Sequence, residues 1–336
     1  MLKEITIPQF QNSAGTVQDI NFTYQVAGRE LGEAPIVMVF HALSGNSDVA
    51  GSKGWWQDMI GIEKPVDLRD YTILAFDMPG NGFDGKASNL LHNYKEFTLG
   101  DIARIYSEAL DKLNIKDLFA GIGGSIGGAL IWELAVIRPQ LFQHIIPVAT
   151  DYKATQWVRA LCKVQEQILN NSSEPLKDAR MHAMTFYRSP KSLKVKFESS
   201  LLNPKGRNVE NWLDYHGKKL EDRFSLVSYK LMNHLLTTID ISKGTGDHLS
   251  AAAKIKSDIH IVTVDSDRFF LPEENWDTYV NLSLVKNNIN IYEIRSIHGH
   301  DAFLIEYIQL GEFLKPVFNQ NNKKNEKDKH STLWDR

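Results

Sequence analysis

Ser125 lies in Gly123-Gly124-Ser125-Ile126-Gly127, with glycines two places before and two places after it. That spacing suits a sharp strand-to-helix turn, in which the backbone bends tightly and the hydroxyl stands clear of the sheet as a nucleophile. A serine hydroxyl is a weak nucleophile: it needs a base to take its proton, and the base needs an acid to orient it. Two later loops offer both groups. Asp267 follows the apolar run 259–264 and His300 follows the run 291–294, with Asp265 and His298 as neighbouring alternatives two residues away. Serine, then acid, then histidine, each in a loop after its own strand, is an order that a parallel α/β sheet can bring to one edge. The oxyanion formed in acyl transfer also needs two N–H donors in a fixed place, worth several kcal/mol of barrier. One is expected from Ile126, directly after the nucleophile. The other is expected from the loop His41-Ala42-Leu43-Ser44-Gly45, with the N–H of Leu43 favoured. His41 precedes Ser125 at the end of a strand and is given a structural role.

The elements around these residues follow from hydrophobic pattern. Residues 4–10 and 20–26 alternate apolar and polar side chains, as an antiparallel edge hairpin would. After them strands alternate with helices. Continuous apolar runs at 36–40, 72–76, 117–122, 145–149, 259–264 and 291–294 suit strands buried on both faces of a parallel sheet. Helices are expected at 97–113 and at 128–138, the latter stopped by Pro139. This alternation implies an α/β fold with right-handed crossovers. Residues 151–250 carry helical spacing (155–169, 175–187, 225–239) and no strand pattern, so they read as a helical lid over the C-terminal strand ends. The expected organisation is a core at 1–150, a lid at 151–250, the rest of the core at 251–318 and a polar, disordered tail at 319–336.

A chain of 336 residues can bury a large core with an inserted subdomain. Its net charge of −3 offers no basic face for nucleic acid or an anionic membrane. The start MLKEITIPQF lacks the apolar stretch of a secretory signal, and the single Cys162 excludes an internal disulfide, so a reducing, cytoplasmic setting is expected. The stretch 118–137 carries one charge, at Glu133, and is long enough to span a membrane. Adjacent glycine pairs would cost such a helix about 1 kcal/mol per glycine, which favours a strand followed by a helix. No metal cluster or phosphate loop is evident. The run 121–127 misses the third glycine of a dinucleotide-binding fingerprint.

Six segments in register carry a closer likeness: HALSGNSDVAGSKGWW (41–56), GGSIGG (123–128), DARMHAMTFY (178–187), DYHGKKLEDRFSLVSYKL (214–231), DSDRFFLPEE (265–274) and HGHDAFLIE (298–306). Together they resemble the homoserine O-acetyltransferase family, which has the α/β-hydrolase fold: a mostly parallel sheet flanked by helices, with a helical lid. The resemblance implies a ping-pong transfer of an acyl group from acyl-CoA through Ser125 to the hydroxyl of L-homoserine, with Asp267 and His300 completing the triad. It implies that Arg180 grips the substrate carboxylate, that the hydroxyl of Tyr187 assists, and that Asp301 meets the ammonium. A guanidinium fork suits a carboxylate, and a carboxylate suits an ammonium. It further implies acetyl-CoA as co-substrate with no bound cofactor or metal, small molecules as the only ligands, and a homodimer joined by lid helices. Departures are Glu166, where relatives usually carry arginine, a shortened stretch before Ala179, and the loop Asp77-Met78-Pro79-Gly80-Asn81-Gly82.

Overall fold

The computed structural model describes residues 1–198 and 208–318, so the expected tail at 319–336 lies outside the described residues. The opening hairpin is β1 (Lys3–Gln11) and β2 (Val17–Gly28), paired antiparallel from Lys3 with Tyr24 to Gln11 with Val17. The apolar runs then give β3 (Ile36–Phe40), β4 (Thr72–Phe76), β5 (Leu118–Gly124), β6 (Phe142–Val148), β7 (Asp258–Val264) and β8 (Ile289–Ile294). Among the described residues these eight strands form one sheet in the order β1-β2-β4-β3-β5-β6-β7-β8. Pairing is antiparallel through β1, β2 and β4 and parallel from there on, and β5 is buried along its whole length. This is the α/β-hydrolase arrangement the sequence led us to expect.

Helices cover both faces. α1 (Leu99–Lys112) opens with a reciprocal capping box between Thr98 and Asp101, and α2 (Ile126–Ile137) follows β5 with only Ser125 between them. Between β6 and β7 the chain leaves the core for α3 (Gln156–Asn171), α4 (Pro175–Tyr187), α5 (Pro190–Phe197), α6 (Val209–Glu221) and α7 (Leu226–Thr237). The stems of this excursion meet where Lys153 bridges Asp240 and the Ala154 N–H reaches the Ile239 carbonyl at 2.8 Å. α8 (His248–Ala253), α9 (Pro272–Ser283) and α10 (Tyr307–Phe318) complete the core layers. No helix among the described residues is long and apolar enough to cross a membrane. The stretch 118–137 is instead β5, the turn at Ser125 and α2.

The parallel register decides what meets what. Phe40 of β3 pairs with Gly123 of β5, Gly124 with Val148 of β6, and Ile294 of β8 with Val264 of β7. The loops bearing residues 41–45, Ser125, 265–267 and 298–301 therefore leave the same sheet edge.

α2 begins at Ile126 rather than at 128, because Gly127 and Gly128 are helical despite their poor propensity. The reason is space. A Cβ on Gly127 would lie 2.3 Å from the Phe40 carbonyl oxygen and 2.7 Å from that of His41, both backbone atoms held by the sheet. Gly127→Ala is therefore expected to lose about 3 kcal/mol or more of folding stability. Gly100→Ala in α1, whose nearest neighbour would be 3.5 Å away, should be neutral or gain up to ~1 kcal/mol. Urea unfolding of the two variants checks the contrast; equal midpoints would refute the packing account.

Candidate active site

Ser125 has φ 58° and ψ −132°, a conformation that costs a non-glycine residue about 1–3 kcal/mol and persists only where the surroundings enforce it. They do so through its own backbone: the N–H donates to the Val148 carbonyl at 2.9 Å, and its carbonyl accepts from Ala129 at 3.1 Å in the first turn of α2. The turn is thus tied to β6 on one side and to the helix on the other. The serine is 4 % exposed beneath the lid.

The structure brings Asp267 and His300 together and leaves Asp265 and His298 apart from them. His300 Nδ1 donates to Asp267 Oδ2 at 2.7 Å. The other carboxylate oxygen, Oδ1, accepts the N–H groups of Phe269 (2.7 Å) and Phe270 (3.1 Å), which fixes its direction. Asp265 instead accepts from the Ser296 N–H at 2.9 Å, and His298 Nδ1 lies 3.3 Å from Arg188 Nη2 and 3.1 Å from Ser192 Oγ. Four aromatic rings, Tyr187, Phe269, Phe270 and Phe303, surround the His300 imidazole at centroid distances of 5.2 to 5.8 Å. With the proton of Nδ1 directed at the carboxylate, Nε2 is the acceptor of the ring, and it is buried without a hydrogen-bond partner among the described residues. Such an orphan is costly unless it serves chemistry. Phe303 links it to the serine, since the same ring that packs edge-on against His300 leaves no room for a Cβ on Gly124.

The two expected oxyanion donors are the N–H groups of Ile126 and Leu43. The N–H of Ile126 is in the first turn of α2, where helix geometry supplies no partner. Leu43 sits in a turn closed by the Gly45 N–H on the Ala42 carbonyl at 2.8 Å. His41 has the structural role expected of it: Nδ1 donates to the Ala42 carbonyl (2.8 Å) and Nε2 accepts from the Met78 N–H (2.9 Å), while burial lowers its pKa and keeps it neutral. Asp77, in the departing loop, anchors the same region through the Ser47 N–H at 2.8 Å and the hydroxyl of Thr23 at 2.6 Å.

Tyr187 lies between Arg180 and His300, and Asp301 follows His300 in the chain. The Arg180 guanidinium lies 5.5 Å from the Tyr187 ring centroid, and that ring tilts against His300. Burial raises the Asp301 carboxyl, an effect opposed by the positive charge of Arg180, His300 and Arg188. Four residues of this region were not singled out from the sequence. Arg188 Nη1 lies 3.6 Å from Asp301 Oδ2, Tyr229 is buried beside Arg180 with its hydroxyl pushed up to about 12 by burial, and Arg223 reaches down to the loop holding Leu43. His216 is pushed down to about 4, first by burial and then by the positive charge of Arg180, Lys219, Arg188 and Lys196. The only local signal for the two arginines is that each abuts an aromatic residue, Tyr187 or Phe224. Glu166 pairs with Lys163 at 2.7 Å and Lys95 at 3.4 Å, whose hydrogen bonds and charge hold its carboxyl low. Its neighbour Gln165 is the buried residue, bonded to the Ala179 carbonyl at 3.0 Å. Cys162 is buried in α3, and burial pushes its thiol up to about 12.

A family model for the alpha/beta hydrolase fold matches residues 35–278 of the chain. The homoserine O-acetyltransferase of Cyclobacterium marinum is 30 % identical, the match covering 94 % of this chain and 92 % of that protein. The homoserine O-succinyltransferase of Nitrosomonas europaea is also 30 % identical, over 93 % of each. Among solved structures, a homoserine O-acetyltransferase from Bacillus anthracis superposes with a TM-score of 0.84 at 16 % identity, covering 95 % of this chain and 98 % of that one.

Proposed function

Since the chain belongs to the homoserine O-acetyltransferase family of α/β hydrolases, we propose that it moves an acetyl group from acetyl-CoA to the hydroxyl of L-homoserine, a step of methionine biosynthesis. The observation that carries the mechanism is the buried Asp267–His300 pair, whose free Nε2 shares the Phe303 ring with the backbone before Ser125. His300 Nε2 takes the Ser125 proton as Oγ attacks the thioester carbonyl. The oxyanion is held by the N–H groups of Leu43 and Ile126. The C–S bond breaks, and His300 returns the proton to the departing sulfur, giving free CoA and acetyl-Ser125. In the second half, His300 takes the proton of the homoserine hydroxyl, whose oxygen attacks the acetyl-serine. Ser125 then leaves and recovers its proton. Arg180 holds the homoserine carboxylate, Asp301 its ammonium, and the Tyr187 hydroxyl assists. The cytoplasmic setting and the homodimer joined through lid helices belong to the same proposal.

The test is CoA thiol release with acetyl-CoA alone and with L-homoserine, L-serine or water as acceptor. Release limited to one equivalent per chain without an acceptor, and sustained with homoserine, is expected. Sustained release to water would overturn transfer in favour of a hydrolase. Because a succinyltransferase is as similar to the chain as an acetyltransferase, succinyl-CoA is run in parallel. Faster turnover with it would replace the donor and keep the mechanism.

Arg180→Ala should separate the two halves. Loss of a charge-assisted bidentate contact costs roughly 2–4 kcal/mol, or about 30- to 1000-fold in kcat/KM for homoserine. Acylation of Ser125 should survive, since no amino acid takes part in it. Single-turnover kinetics resolve the steps, and an equal slowing of both would show that Arg180 does not bind the acceptor.

A further inference from the structure

We infer that Arg223 is a strut from the lid to the oxyanion loop, a positioning residue that fixes the N–H of Leu43 for the acyl-transfer intermediate. The inference rests on the reading of Leu43 and Ile126 as oxyanion donors. Arg223 lies in the turn between α6 and α7, and its Nη1 donates to the Ser44 carbonyl at 2.8 Å, across 179 residues of sequence. The turn Ala42-Leu43-Ser44-Gly45 is otherwise held from the core. The Ala42 carbonyl accepts both the Gly45 N–H and His41 Nδ1, each at 2.8 Å. The first of them ties the exit peptide 44–45 to the peptide that carries the Leu43 N–H, and Arg223 holds that same exit peptide by its carbonyl. Among the described residues the Leu43 N–H donates to nothing, so its direction is set only by the bonds that hold the peptides around it.

The surroundings of Arg223 argue that this bond is its task. It makes no ion pair with a carboxylate among the described residues, and it lies near the like charge of Arg180. Its guanidinium is 6.0 Å from the Phe224 ring centroid, and its Nη1 is directed at the Ser44 carbonyl. A cation held beside another cation without a counter-charge is unfavourable, so a surface role would be better served by any neutral residue. One donor aimed at one backbone carbonyl of the oxyanion loop accounts for it. The consequence is mechanical: the lid that covers the substrate also sets the geometry of the hole, and a displacement of about 1 Å at such a site can cost 10²-fold in rate.

The experiment compares acylation of Ser125 by 4-nitrophenyl acetate and by its thiono analogue, in which sulfur replaces the carbonyl oxygen and accepts N–H bonds poorly. The wild type should prefer the oxygen ester by about 100-fold or more. Arg223→Ala should lower the single-turnover rate constant for acylation by the oxygen ester by roughly 10- to 100-fold with the half-saturating ester concentration within about twofold, and slow acylation by the thiono ester by less than about threefold, so that the oxygen preference collapses. Arg223→Lys keeps one N–H donor for the Ser44 carbonyl and should recover most of the preference. A folded Arg223→Ala with the wild-type acylation rate and wild-type preference would overturn the strut while leaving the oxyanion hole standing. A wild type without oxygen preference would overturn the reading of Leu43 and Ile126, and the strut with it. If Arg223→Ala does not fold, Arg223→Met, which keeps the length of the side chain and has no N–H donor, takes its place, and an unchanged preference there overturns the strut equally.

Discussion

Replacing Ser125 by alanine is expected to abolish turnover, by a factor on the order of 10⁶, and to leave the unfolding midpoint near that of the wild type. The serine is held at φ 58° by its backbone bonds to Val148 and Ala129, and alanine in the same place keeps those bonds and bears the same strain. What the substitution removes is the oxygen that attacks the donor. Mass spectrometry of the wild type after acetyl-CoA alone should show one acetyl group per chain, and the variant should show none. An adduct that persists in Ser125→Ala would mean that another nucleophile carries the acyl group.

Asp267→Asn should be nearly as damaging, at about 10⁴-fold in kcat. Asparagine can still accept the N–H groups of Phe269 and Phe270 through its oxygen, so the loop is preserved. Its amide, however, presents N–H groups toward His300 Nδ1 where the carboxylate presented a lone pair. The imidazole then carries its proton on Nε2 and has no lone pair for the Ser125 hydroxyl. Asp265→Asn, whose carboxylate accepts the Ser296 N–H on an exposed loop, should change kcat by less than about threefold. Comparable losses at the two positions, in proteins of equal stability, would sink the acid assignment.

The departures that set this chain apart from the family's usual pattern touch the lid more than the proposed chemistry. Glu166 is paired with two lysines on the outer side of α3, while the buried neighbour Gln165 makes the contact to α4. The loop at Asp77 serves as an anchor for residues 41–47. Neither change alters the Asp267–His300 pair.

The sequence by itself determined where the strands lie along the chain, the elbow at Ser125 and the places of the acid and base loops. These rest on short-range constraints: apolar runs that can only be buried strands, and glycines two places either side of a serine. It misjudged the start of α2, because propensity argues against glycine in a helix and cannot see the Phe40 and His41 carbonyls that exclude a Cβ at Gly127. The sequence favoured Asp267 and kept Asp265 as its rival; only the tertiary structure shows what separates them, since they share one loop and differ in the direction each side chain takes, set by bonds to Ser296 on one side and to Phe269 and Phe270 on the other. The same holds for Arg188 against Asp301 and Arg223 against Ser44, contacts between lid and core that join residues 113 and 179 apart in the chain. Local pattern carries no record of such pairs, because they exist only once the lid has packed over the sheet edge and brought its side chains within hydrogen-bonding distance of loops fixed by the strands below.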